Sequence, residues 1–232
     1  MQAIFYIIIL ALFLLLLYFF HQTIIKYFSL ASFLVFGTSK IGIYLYFLFF
    51  LPGVVLHELA HLFSASILGV PSGKLQLFPQ KTEEGWTLGQ VSSAETDTFR
   101  SSLIGLAPMI IGAASLVFII NFGLEIKSLA GFSNLLPNWK TLICLYLILT
   151  FTNTMFLSEE DKTSIWAFPG FLVLLFLFGR AMGLVGILTA IESFFYQATS
   201  ILILTFSLTA ILDLLFLAPL ILTIEILAKI RG

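Results

Sequence analysis

The sequence predicts an all-α polytopic membrane protein of about six transmembrane helices, with a small β-hairpin after the second helix. Three observations predict it. Of the 232 residues, 60% are hydrophobic and only 10% charged, and the mean hydropathy of +1.11 is far above that of a soluble domain. The apolar residues gather in runs long enough to span a bilayer, for which about 20 helical residues suffice. The longest polar stretch, residues 71–99, alternates polar and apolar side chains as a half-exposed strand does. The net charge is −1 with no basic or acidic block, which speaks against nucleic acid and against a polybasic lipid anchor. The single cysteine, Cys144, lies in an apolar run, so no internal disulfide forms and the residue reads as small packing material.

Residues 3–20 make the first span, retained because a basic leader and a small-residue cleavage site are both lacking. Residues 21–40, with His21, Lys26, Gly37 and Lys40, read as a loop, partly interfacial around Ile24 to Phe36, and His21, with no motif around it, as an interfacial histidine in preference to a third zinc ligand. The second span covers about residues 41–69. Pro52 and Gly53 predict a kink one turn before His57, either a break that admits water or a routine bend. In residues 71–99, Lys74 to Leu77 and Trp86 to Val91 are the strands of the hairpin, with 81–85 as the turn. An edge of this hairpin is suited to hold an extended peptide by β-addition. Arg100 leads the third span, 101–122, where Gly105, Pro108 and Gly112 allow close helix approach. After a loop at 123–140, the fourth span covers 141–157 and ends in Ser158-Glu159-Glu160-Asp161-Lys162. Further spans follow at about 165–190, with Arg180, and 198–228, with Asp213 and Glu225. Arg180 and Asp213, which no motif surrounds, read as a charge pair across the bundle or as helix-packing residues. The chain divides into an N-terminal part, 1–40, a core, 41–165, and C-terminal helices, 166–232.

The chemistry concentrates in Leu56 to Leu62, L-H-E-L-A-H-L. His57 and His61 are four apart and share one helix face, the spacing that presents two nitrogens to a zinc ion. Glu58 is placed to take a proton from water activated there. Two of the chain's three histidines and a glutamate in this pattern, inside an apolar run where charge is expensive, point to a site and not to chance. A catalytic zinc normally has three protein ligands. If helices two, three and four alternate in direction, the end of helix four returns to the depth of the motif, bringing Glu159, Glu160 or Asp161 there and leaving Glu125 on the opposite side.

In these residues the chain resembles the site-2 proteases, which are intramembrane zinc metalloproteases. His57-Glu58-x-x-His61 matches their first motif, and Asn153 followed eight residues later by Asp161 has the spacing of their second. Gly69-Val70-Pro71, Leu77-Phe78-Pro79 and the Arg-led third helix fit the connecting pattern. Lys162 stands where the family has a glycine, the usual prolines before the aspartate are absent, and Ile111 and Gly112 replace an asparagine motif. The resemblance implies one Zn2+ per chain held by His57, His61 and Asp161, Glu58 as general base, and Asn153 as a residue that contacts substrate or polarises the scissile carbonyl. It also implies a membrane-associated hairpin, a transmembrane protein as substrate, and an active site toward the cytosol. Positive-inside counting leans the same way, with Lys74, Lys81, Arg100, Lys162, Lys229 and Arg231 on the site's side. The alternative is a membrane protein that binds metal or holds substrates without proteolysis. No regulatory partner is legible.

Overall fold

The computed structural model describes residues 2–82, 85–126, 138–156, 183 and 185–231. In chain order these are α1 (Gln2–Phe36), α2 (Lys40–Ile67), β1 (Ser72–Gln76), β2 (Gln80–Thr82), β3 (Gly85–Thr87), β4 (Gln90–Ser93), α3 (Thr98–Phe118) closed by a π turn at Ile119–Gly123, α4 (Trp139–Thr154) and α5 (Val185–Arg231). Four helices among the described residues are long and apolar enough to cross a membrane: Ile8–Phe36, Lys40–Ile67, Thr98–Gly123 and Tyr196–Lys229. α4, at about 24 Å, is shorter than the hydrocarbon layer.

Two elements depart from the sequence reading. Residues 21–36 are not a loop: α1 continues through them to Gly37, whose positive φ of 73° and N–H bond to the Phe33 carbonyl end the helix. No glycine or proline interrupts residues 2–36, and polarity alone does not break a helix. At the other end α5 begins at Val185, so the polar residues around Gln197 that read as a boundary lie inside one helix. Most of the expected span 165–190, including Arg180, lies outside the described residues.

α2 runs unbroken through Pro52. The Tyr146 hydroxyl donates to the Phe49 carbonyl at 2.7 Å, three residues before the proline, the kind of side-chain support that a loosened helical ladder attracts. Gly53 is a crossing point, because a Cβ there would collide with the Thr150 carbonyl and the Thr154 hydroxyl. α2 ends in a Schellman motif, with Gly69 at φ 68° and Val70 N–H bonded to the Ala65 carbonyl at 2.9 Å.

The chain then turns back along α2. β1 pairs antiparallel with β4 and β2 with β3, with a bulge between Ser72 and Leu75. Tyr44 packs its ring against Trp86 and Phe47 against Phe78, so the far end of the hairpin reaches the first turns of α2. From Tyr44 to Ile67 is about 35 Å of helix, comparable to the hydrocarbon thickness.

Asp97 caps α3 by accepting the Arg100 N–H at 3.0 Å. That bond holds its carboxyl below the ordinary carboxylate value, so the cap is intact at neutral pH and is lost only as pH falls through the lowered value. Cys144 is buried and packs beside Gly123 in the π turn, as a small packing residue should. Successive contacts order the bundle. Phe49 with Tyr146, Gly53 with Thr150, and His57 with Thr154 make α2 and α4 parallel. Tyr6 with Tyr196 and Phe28 with Phe216 make α1 and α5 parallel. The distribution of polarity is inverted relative to a soluble protein: Leu15, Phe19, Phe63, Ile67 and Leu215 are exposed, whereas Glu58, His61, Thr152, Asn153, Thr209 and Asp213 are buried.

Candidate metal centre

Two helix-end effects set the histidines. Thr154 is the last residue of α4, so its carbonyl has no intrahelical donor. His57 Nδ1 lies 2.6 Å from it. Ile104 lies four residues before Pro108, inside α3, and proline has no N–H to offer its carbonyl. His61 Nδ1 lies 3.0 Å from that oxygen. A carbonyl only accepts, so each Nδ1 carries the ring hydrogen and each neutral ring presents Nε2 as an acceptor.

The two Nε2 atoms face each other at 3.2 Å. With both Nδ1 hydrogens on carbonyls, two Nε2 lone pairs at that distance are held together by a shared proton or by a bound metal cation. Zinc–nitrogen bonds of about 2.05 Å at a tetrahedral angle place two nitrogens about 3.3 Å apart, so the pair fits a zinc ion. Nδ1 bonded to a carbonyl and Nε2 directed inward is also how a metal-binding histidine is normally oriented. Among the described residues no third His, Cys, Asp or Glu joins them in a group of three. Asp161, the third ligand implied by the resemblance, lies outside the described residues, as do Glu159 and Glu160. α4 ends at Thr154, the residue whose carbonyl meets His57. Glu125 is at the opposite end of α4, paired with Lys140 at 3.5 Å.

Glu58 is 5% exposed, a carboxylate within an apolar bundle. The turn between β3 and β4 lies on it: a Cβ built at Gly89 would stand 2.8 Å from Glu58 Oε1 and from its Cγ. A side chain at 89 would force the Glu58 side chain to shift.

Asn153 is also buried, at the end of α4. Its Nδ2 donates to the Leu149 carbonyl at 3.0 Å and to Asp213 Oδ1 at 2.8 Å. Both amide hydrogens are thereby engaged, so what remains on this side chain is an acceptor oxygen. Polarising a scissile carbonyl would require release from Asp213. Asp213 thus meets Asn153, a contact that spacing alone did not reveal. His21 is not interfacial. It sits within α1, its Nδ1 3.1 Å from the Tyr46 hydroxyl, and its ring also meets the Asn153 main chain.

No protein-family model matches this chain, and no curated protein or solved structure matches it significantly.

Proposed function

We propose that the chain is a multi-pass intramembrane zinc metalloprotease of the site-2 type, hydrolysing peptide bonds within or next to transmembrane segments of membrane-protein substrates. The observation that carries this reading is the convergence of His57 and His61 Nε2 atoms at 3.2 Å, each ring held by a carbonyl, on a helix whose next residue after His57 is the buried Glu58. His57 and His61 would hold one zinc per chain, with Asp161 as third ligand. Bound zinc supplies a Lewis acid that acidifies water and polarises a carbonyl. Glu58 accepts the proton of the attacking water and delivers it to the leaving amine. The Thr154 and Ile104 carbonyls keep both imidazoles in one tautomer throughout. Asn153, its donors engaged, enters by steadying the end of α4.

A peptide bond in a transmembrane helix is shielded by its own hydrogen-bond ladder, so substrate must unwind before attack. The hairpin lies along α2 with its Gly89 turn on Glu58, and an edge there suits an extended substrate backbone. The resemblance implies a site toward the cytosol, but lysine and arginine do not add to it: α5 runs parallel to α1, which puts Lys229 and Arg231 at the Lys40 end of the bundle, and the hairpin carries Lys81 to the same end, away from the motif.

The test is cleavage in proteoliposomes of a model transmembrane peptide carrying a helix-breaking residue. Zinc-dependent cleavage within the apolar segment, abolished by a chelator and restored by zinc, is expected. Absence of cleavage, or cleavage indifferent to chelation, would contradict the reading. Gly89→Val, which must displace Glu58 or the turn, is expected to slow that cleavage by roughly tenfold to a hundredfold while zinc content is unchanged. A wild-type rate would place the turn outside the catalytic geometry.

A further inference from the structure

We propose that Asp213 is a positioning residue for the metal centre, acting through Asn153; the proposal rests on the zinc reading above. Asp213 lies on α5, in the C-terminal part that the motifs do not reach. It is fully buried, and a carboxylate there is expensive. Its Oδ1 accepts from Asn153 Nδ2, and the second hydrogen of that amide goes to the Leu149 carbonyl. Since both partners are acceptors, the orientation of the amide is settled.

Three consecutive residues then act together. The Thr152 hydroxyl meets Thr209 of α5 at 3.2 Å, and Asn153 meets Asp213, one turn further along α5. Thr154 turns its carbonyl to His57 Nδ1. The last turn of α4 is therefore a strut between α5 and an imidazole, and Asp213 anchors its far side. Partners of this kind, one step behind the ligands, orient them and raise metal affinity.

Asn153 Oδ1 and Asp213 Oδ2 are buried oxygens with no hydrogen-bond partner among the described residues. This makes two substitutions discriminating. Asparagine at 213 still offers an oxygen to Asn153 Nδ2 and replaces the unpaired Oδ2 with a neutral NH2. Leucine offers neither, yet it is favoured in a bilayer, so the variant inserts.

The experiment uses the full chain in detergent, stripped of metal. Zinc affinity is measured by competition with a chelator, and ligand geometry by the visible spectrum of the cobalt(II) form. Asp213→Asn is expected to match wild type in both. Asp213→Leu is expected to bind zinc about 10- to 100-fold more weakly with an altered cobalt spectrum. Asn153→Leu should reproduce that loss, and the double variant should be no worse than either single one. Wild-type affinity and spectrum in Asp213→Leu, or an Asp213→Asn variant as impaired as the leucine one, would overturn the proposal. A wild-type chain that binds neither metal would instead remove the zinc reading, and this proposal with it.

Discussion

Glu58→Gln is expected to keep zinc and to lose hydrolysis, with the cleavage rate falling by roughly 10²- to 10⁴-fold. Glutamine has nearly the same shape, so it fills the space against Gly89 and leaves the turn in place. It cannot accept the proton of the attacking water at neutral pH. Paired measurements of zinc content and cleavage by the same preparation check this. Retained hydrolysis would rule out Glu58 as the base. A cellular function that survives Glu58→Gln but not loss of the histidines would favour the non-proteolytic alternative.

His57→Ala is expected to remove both zinc and hydrolysis while costing the fold little. The Thr154 carbonyl that it abandons ends a helix, and losing one such hydrogen bond costs about 1 kcal/mol. His61→Ala should have the same effect on metal with a larger structural cost. It strands the Ile104 carbonyl, which Pro108 has already deprived of a helical donor, and a buried unpaired acceptor costs about 1–3 kcal/mol. Zinc content and melting temperature of the two variants separate these effects. A histidine pair serving only to pack the bundle would reverse the pattern, with large losses of stability and metal content unchanged.

The parts of this arrangement that were legible in the sequence are the local ones. The spacing of His57 and His61 placed them on one face, and the period-two pattern of residues 71–99 marked strands. The alternation of helices two to four brought the end of α4 to the depth of the motif, where Thr154 meets His57. Polarity misled at residues 21–36 and near Gln197, because an isolated polar side chain does not end a helix. Some of the site was readable in principle. Pro108 necessarily frees the carbonyl four residues before it, yet nothing local says that a histidine of another helix will take that carbonyl. The approach of Gly89 to Glu58 and the Asn153–Asp213 bond join residues 31 and 60 positions apart, and such contacts depend on how helices dock and not on any local pattern.

The most direct test is the amount of zinc bound per chain in detergent-purified protein, comparing wild type with His57→Ala, Asp161→Ala and Glu160→Ala. One zinc per chain in wild type and Glu160→Ala, lost in His57→Ala and Asp161→Ala, is the result expected here. A wild-type protein without zinc under metal-replete conditions would contradict the metalloprotease reading and leave the histidine pair a structural feature of the bundle.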